Sequence, residues 1–215
     1  MGGKDFCEWS RHDRELAKSI GRLIETVLGK FGKGLINLAL AESFFEKGED
    51  SYEIAMLAQK GRIQAESGGK PEQVFVAVGL LAWLSLLNNH LEDAMESLDS
   101  FRGNVRHMPR LLEGVDTLKT QLLLYAGRSS EVAAWMEQAP DEDKEFCTLE
   151  RDRYITKARV YLATGRKEKT RSILMRLMIY ADKRERTFLK IEAGMLLAIA
   201  QFRMGEENWQ KIIIL

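Results

Sequence analysis

Histidine and cysteine are the side chains that most often bind metals or act in catalysis, and this chain has few of them. His12, His90 and His107 are far apart and show no HExxH or paired-ligand spacing. Cys7 and Cys147 have neither metal spacing nor a companion histidine, and they are typical of a reducing compartment, the cytoplasm. No GxSxG nucleophile motif occurs. We therefore expect no metal site and no enzyme.

The glycine-rich segment Gly29-Lys-Phe-Gly-Lys-Gly34 invites comparison with a phosphate-binding loop. A Walker A loop needs lysine and then serine or threonine directly after its last glycine, with a strand before the loop. Here Leu35 and Ile36 follow the last glycine, and the amphipathic pattern of residues 13–28 predicts a helix before it. We interpret the segment as a flexible turn between helices, and we expect no cofactor in this chain.

The charges of the chain are balanced. Its 215 residues include 32 Lys and Arg and 32 Asp and Glu, so no net field attracts nucleic acid or an anionic membrane. The basic clusters at 166–169 and 183–186 are interrupted by glutamate and have no interleaved aromatic residues. No signal peptide and no apolar run of membrane-spanning length occur. We expect no direct nucleic-acid binding by this segment and no membrane contact.

A turn residue that follows an apolar helical pattern recurs along the chain with spacings of 41, 38, 38 and 40 residues. Glycine and asparagine tolerate the positive φ that ends many helices. The turn residues are Gly48, Asn89, Gly127, Gly165 and Gly205. Because a fixed period in this range is typical of stacked helix hairpins, the sequence predicts such an array.

Seven places before each turn stands a small residue, as expected where two helices of a hairpin approach closely. These residues are Ala41, Ala82, Thr120, Ala158 and Ala198. The predicted fold is all-α, a superhelical array of about five antiparallel helix hairpins resembling a tetratricopeptide (TPR-like) α-solenoid, with an extra N-terminal helix. Residues 1–34 form the N-terminal helix and turn, and residues 35–215 form the repeat domain.

The predicted hairpins follow the turns. They pair Leu35–Lys47 with Tyr52–Glu66, Glu72–Leu87 with Leu91–Phe101, Arg110–Tyr125 with Glu131–Gln138, Phe146–Thr164 with Glu168–Ala181, and Arg184–Met204 with the residues from Glu207 onwards. The helix over residues 72–87 is apolar nearly all round, which predicts an interior position. The final predicted helix is uncapped at Leu215, whereas solenoids end in a polar capping repeat. We therefore expect the chain to be part of a longer protein.

In such arrays the first helix of each hairpin lines a concave surface. With the tetratricopeptide hairpin as a guide, the residue six places before each turn faces that groove. The candidate binding residues, with neighbours on the same helices, are Glu42, Phe45, Trp83, Gln121, Tyr125, Arg159 and Arg203, and Ile199 holds the last groove position. Aromatic groups flanked by polar ones suit sugars, peptides or amphipathic small molecules. Alternatively, Trp83 is a core residue and the others are ordinary surface.

The second half of the chain resembles a known family of regulators. The segment over residues 150–166, ERDRYITKARVYLATGR, follows Trp135 and precedes Ile173-Leu-Met-Arg-Leu177. It is similar to the pattern ALARVLLAQGR…A..LL..L in the helical-repeat domain of MalT-like, LuxR-family transcriptional regulators. Ala181, Arg186 and the run from Ile191 to Gly205 continue the likeness. Thr170 stands where the family usually has alanine.

The resemblance implies a role in signal sensing and transcription regulation. In such proteins the repeats lie between an N-terminal nucleotide-binding module, for which alone ATP is implied, and a C-terminal DNA-binding helix-turn-helix. The repeats bind a small-molecule inducer or a protein partner and control self-association. The alternative is a stand-alone TPR-like adaptor that makes a protein–protein interaction by binding a peptide or protein in its concave groove.

Overall fold

The computed structural model describes residues 19, 30–141, 146–147 and 150–204. Within them the chain is all-helical, which confirms the predicted class, and no strand occurs in these residues. The helices are α1 (Lys30–Lys47), α2 (Ser51–Ser67), α3 (Pro71–Leu87), α4 (Leu91–Asn104), α5 (Pro109–Tyr125), α6 (Arg151–Ala163), α7 (Lys167–Lys183) and α8 (Thr187–Met204), with 3₁₀ turns at Ser129–Val132 and Ala134–Glu137. Of the predicted N-terminal helix only Ser19 is described, and it is helical.

The chain divides into two compact units, Met1–Val115 and Asp116–Leu215, and the division falls within α5. In each unit, helices that are consecutive in sequence pack side by side: α1 on α2, α2 on α3 and α3 on α4 in the first, and α6 on α7 and α7 on α8 in the second. Helices two apart also pack, α1 on α3 and α6 on α8. This sequential packing is that of a helical-repeat array.

The core of the first unit lies between α1, α2 and α3. Its buried cluster comprises Ala41, Phe44, Ile54, Ala58, Leu80 and Leu84. The helices α1 and α2 lie close together at Gly61, where an added Cβ would lie 2.6 Å from Leu38 Cγ. Each large apolar side chain buried here stabilises the fold by about 1.5–3 kcal/mol relative to exposure.

The core of the second unit lies between α6, α7 and α8. Its buried cluster comprises Tyr154, Ile155, Ala158, Tyr161, Ile173, Leu174, Leu177, Ala181, Leu189, Ala193, Leu196 and Leu197. Thr170, where the resembled family usually has alanine, is also fully buried. Its hydroxyl donates a hydrogen bond to the Arg166 carbonyl at 3.0 Å, so threonine fits there without an unsatisfied polar group.

The predicted turn residues have the backbone that the prediction requires. Gly48, Asn89, Gly127 and Gly165 have φ between 64° and 76°, and Gly205 lies outside the described residues. After each of them, the next amide donates to the carbonyl five residues earlier, as His90 does to Ser85 at 2.8 Å. This is the Schellman arrangement, which satisfies the last carbonyls of a helix. The same arrangement at Gly69 and Glu185 was not predicted.

The small residues before these turns are mostly buried. Ala41, Ala82, Thr120 and Ala158 are at most 3% exposed, which agrees with their predicted place between helices. Ala198, on α8, is only half-buried. The apolar helix α3 is buried on several sides, as predicted, although Val76 in its second turn and Leu87 at its end are exposed. No helix in the described part of the chain has the length and apolarity to cross a membrane.

The predicted turn before Leu35 is wrong, because α1 begins at Lys30 and includes Gly34. Gly34 lies against α2, where an added Cβ would be 3.2 Å from Gln64 Cβ and 3.5 Å from the Gly61 carbonyl. At this position glycine, which has no side chain, allows α1 and α2 to pack closely. It does not indicate a loop.

Two other predicted helices differ. Residues 131–138 lie largely within two 3₁₀ turns, a conformation frequent in connectors, and these turns bury Val132 and Trp135. The helix predicted from Phe146 begins at Arg151. The Phe146 ring instead packs edge-on against Tyr154, with the ring centroids 4.6 Å apart.

Candidate ligand-binding site

Three polar side chains from three helices of the second unit meet around Arg159. One guanidinium nitrogen of Arg159, on α6, donates to the Tyr125 hydroxyl at 2.6 Å. The other donates to Oε1 of Glu192, on α8, at 3.0 Å. The guanidinium carbon also lies 5.4 Å from the centroid of the Tyr125 ring, which is a cation–π distance. We call Tyr125, Arg159 and Glu192 the Arg159 cluster.

The cluster holds a fixed positive charge. Burial disfavours the charged form of Arg159, but the hydrogen bonds to Tyr125 and Glu192 outweigh it and raise the pKa of the guanidinium above its ordinary value. Nearby, Asp152 and then Glu192 help to raise the pKa of Arg151. Arg159 is therefore a permanent cation held between an aromatic ring and a carboxylate.

Gln121 lies one turn before Tyr125 on α5 and makes a second polar link to α6. Its amide nitrogen donates to the Thr156 hydroxyl at 2.8 Å, and that hydroxyl donates to the Asp152 carbonyl at 2.7 Å. Thr156 is fully buried, so both of these bonds satisfy an interior group. Gln121 therefore has a structural contact in addition to its predicted surface role.

Helix geometry explains why these side chains share one surface. Gln121 and Tyr125 are four residues apart, as are Asp152 and Thr156, so each pair lies on one helix face. Tyr125 is the last residue of α5 and is 60% exposed. The end of a helix thus presents an aromatic ring to solvent, and Arg159 supports it from the neighbouring helix.

The structure brings together three of the seven predicted binding residues: Gln121, Tyr125 and Arg159 lie along the α5–α6 contact. Glu42, Phe45 and Trp83 belong to the first unit, on α1 and α3. Glu42 is exposed, Phe45 is half-buried against the core, and Trp83 is half-buried. Trp83 is therefore neither a fully buried core residue nor an exposed platform.

The remaining predictions fall at the end of α8. The side chain of Arg203 lies outside the described residues. Ile199 is 45% exposed and belongs to an apolar face of α8 that is considered below.

Sequence reasoning missed Glu192 and Thr156. Glu192 stands seven residues, or about two helical turns, before the predicted groove position Ile199. A search two turns back along each first helix would therefore have found Glu192. Thr156 carried no comparable signal, because its role depends on the partner helix.

A separate concavity lies in the first unit, with a volume of about 340 Å³. It is bounded by α2, the start of α3 and the end of α4. The floor includes Val74, Phe101 and Val105, and the rim includes Arg62, Glu66, Lys70, Ser100 and Asn104. None of the predicted groove residues lines it, and its apolar floor and polar rim suit an amphipathic molecule.

The Arg159 cluster presents an aromatic face, hydrogen-bond donors and a carboxylate acceptor on neighbouring helices. These groups are chemically suited to ligands that carry both hydroxyl or amide groups and an apolar face. No group of His, Cys, Asp and Glu able to hold a metal ion occurs among the described residues. Hydrogen bonding and stacking are the interactions that the side chains of the cluster offer to a ligand.

Comparisons with known proteins find no relative of this chain: no protein-family model, no curated protein and no solved structure matches it. The family resemblance drawn from the sequence stays a prediction.

Proposed function

We propose that this chain is the sensing, helical-repeat part of a LuxR-family, MalT-like transcriptional regulator, which binds an inducer or a protein partner and controls self-association in the cytoplasm. The Arg159 cluster carries the proposal. Its tyrosine ring is exposed to solvent, and the half-buried Arg159 holds that ring in a fixed position where a ligand can stack on it. The free, exposed thiol of Cys147 is compatible with a reducing compartment.

The proposed mechanism uses the three helices that the cluster joins. A ligand that bonds to Tyr125 and Glu192 contacts α5 and α8 at once, and Arg159 on α6 connects them. Such a ligand favours one arrangement of these helices by as much as its affinity differs between arrangements. In a regulator, that preference would pass to flanking ATPase and DNA-binding modules of the same protein.

Thermal stabilisation tests the binding part of the proposal. A panel of mono- and disaccharides, amino acids and short peptides is added to the whole chain, and the midpoint of unfolding is measured. A compound at 100 times its Kd raises the free energy of unfolding by about 2.7 kcal/mol. We expect a stabilising compound whose effect is lost in Tyr125→Phe and Arg159→Gln.

The matched control is Ser100→Phe, which obstructs the 340 Å³ concavity of the first unit and leaves the Arg159 cluster unchanged. Loss of the effect in Ser100→Phe, with retention in the two cluster variants, would contradict the proposed site. A peptide as the stabilising compound would favour the adaptor function over the inducer sensor. Antibody detection of the native polypeptide then separates them, because a regulator is several-fold larger than this chain.

A further inference from the structure

One face of α8 is apolar and exposed along the length of the helix. Phe188 is 86% exposed and Phe202 is 76% exposed. Between them Ile191, Met195 and Ile199 are 45–60% exposed. At about 100° per residue these five side chains fall within a sector of about 80°, so they form one continuous stripe. We call these five residues the α8 stripe.

The exposed area is large for a surface that remains in water. Each phenylalanine presents on the order of 150 Å² or more at these exposures, and the stripe presents roughly 600 Å². The largest apolar patch of a typical monomer is about 300–600 Å², and such patches are often functional. The half-buried state of Ala198, beside the stripe, contrasts with the buried state of Ala41, Ala82 and Ala158 in the other hairpins.

The α8 stripe reads the same in both directions along the helix. Its residue types are Phe, Ile, Met, Ile and Phe, and the spacings between them are 3, 4, 4 and 3 residues. If two copies of α8 lie antiparallel with Met195 at the centre, Phe188 meets Phe202 of the other copy. Ile191 then meets Ile199, and Met195 meets itself. An interface with two-fold symmetry requires this kind of self-complementarity.

The charged side chains of α8 that the structure describes do not oppose such a contact. Glu192 is paired with Arg159 at 3.0 Å, and Lys190 is paired with Asp182 at 2.6 Å. Because each of these two residues has an opposite partner within its own chain, a dimer need not bury either of them as an unpaired charge. Two stripes together bury roughly 1,200 Å², which is the lower end of the range for specific, stable interfaces.

We infer that the α8 stripe is the contact surface of a homodimer, in which two copies of α8 pack antiparallel about Met195. The proposed function includes self-association without giving it a surface. This inference supplies the surface, rests on that part of the proposed function alone, and needs no inducer.

Charge reversal at the symmetry axis tests the inference, because Met195 contacts itself. We expect the whole chain to be a dimer in analytical ultracentrifugation. Met195→Glu and Met195→Lys should each raise the dimer Kd by at least about tenfold, since like charges then face each other. An equimolar mixture of the two variants should restore the dimer, because glutamate then faces lysine.

The control is Met56→Glu, which places the same charge at an exposed methionine of the first unit that is 42% exposed and should leave the dimer unchanged. Circular dichroism checks that each variant folds. A wild-type monomer at all soluble concentrations would overturn the inference and assign the stripe to another part of the chain or another protein. Dimers that persist in both single variants, or a mixture that stays monomeric, would also overturn it. Absence of a stabilising compound in the thermal screen leaves this result unaffected.

Discussion

Side chains of α6 hold the loop that precedes this helix through three backbone carbonyls. The three carbonyls lie 2.6, 2.8 and 3.4 Å from their donors, so each of them accepts a hydrogen bond from a protein side chain. The pairs are Arg153 with Gln138, Lys157 with Pro140, and Tyr154 with Asp141. Arg153, Tyr154 and Lys157 are therefore structural, which separates them from Arg159 on the more exposed face of α6.

Tyr154 makes the stability of the second unit sensitive to alkaline pH. Burial, followed by the nearby carboxylates of Glu150 and Asp141, raises the pKa of its phenol above the ordinary value of about 10. The folded chain thus binds more protons than the unfolded chain above that pH. The contribution to stability is complete below about pH 10 and is lost as the pH rises through the folded pKa.

We expect Tyr154→Phe to reduce this alkaline loss of stability. The substitution keeps the buried ring and removes only a 3.4 Å hydrogen bond, so its cost at neutral pH should be about 1 kcal/mol or less. Urea unfolding at about pH 8 and about pH 11 measures the difference. Tyr52→Phe, at a 71% exposed tyrosine, is the control. An equal alkaline loss in Tyr154→Phe and wild type would contradict the assignment.

At the scale of the helix, the turns could be predicted and the helix contacts could not. The positive φ of Gly48, Asn89 and Gly165 can be predicted from residue type, because few residues other than glycine and asparagine tolerate a left-handed backbone conformation. Glu185 also adopts a positive φ, 54°, although glutamate does not predict it. The backbone amides of Glu185 and Arg186 donate hydrogen bonds to carbonyls at the end of α7, and these bonds stabilise the turn. The stretch 131–138 has a helical pattern, but it forms 3₁₀ turns that bury Val132 and Trp135.

The same limit applies to the candidate site. The period gives Arg159 as a groove position, and Tyr125 is predicted as a neighbour of the preceding groove position; the structure joins the two side chains. Glu192 could also be predicted from the period, because it lies two helical turns before the predicted groove position Ile199. Gln121 was assigned to the surface because its partner, the Thr156 hydroxyl, can be identified only when both helices are in place.

Gly61 illustrates a contact that residue type alone does not reveal. We expect Gly61→Ala to destabilise the fold by about 1–3 kcal/mol, because its new Cβ would lie 2.6 Å from Leu38 Cγ and 3.2 Å from the Gly34 carbonyl. Chemical denaturation measures this cost. The cost should be smaller in a Leu38→Ala background, where the side-chain part of the collision is removed.

The control for this prediction is Gly103→Ala, since an added Cβ at Gly103, within α4, meets nothing within 4 Å. Alanine should be neutral or stabilising there, because it has the better helix propensity. If Gly61→Ala were also neutral, α1 and α2 would have to separate readily at this point, and the close contact would not be a determinant of the hairpin.

At the scale of the whole molecule, we expect the stability of each helix to depend mainly on the helices that it contacts. Helices contact the next one or two in sequence, and two compact units result. In repeat arrays stability is approximately a sum of repeat and nearest-neighbour contributions. A cavity in one unit should therefore weaken the helices of that unit before those of the other.

Leu174→Ala and Leu98→Ala form a matched pair for this prediction, because both leucines have 0% exposure and lie on α7 and α4 respectively. Each should destabilise its unit by about 2–5 kcal/mol. Hydrogen exchange measured by mass spectrometry should then show Leu174→Ala lowering protection mainly in α6–α8, and Leu98→Ala lowering it mainly in α2–α4. If either variant lowered protection equally throughout, the chain would unfold as one cooperative body. A ligand at the Arg159 cluster would then stabilise every helix alike, whereas neighbourhood stability confines its effect largely to the helices it contacts.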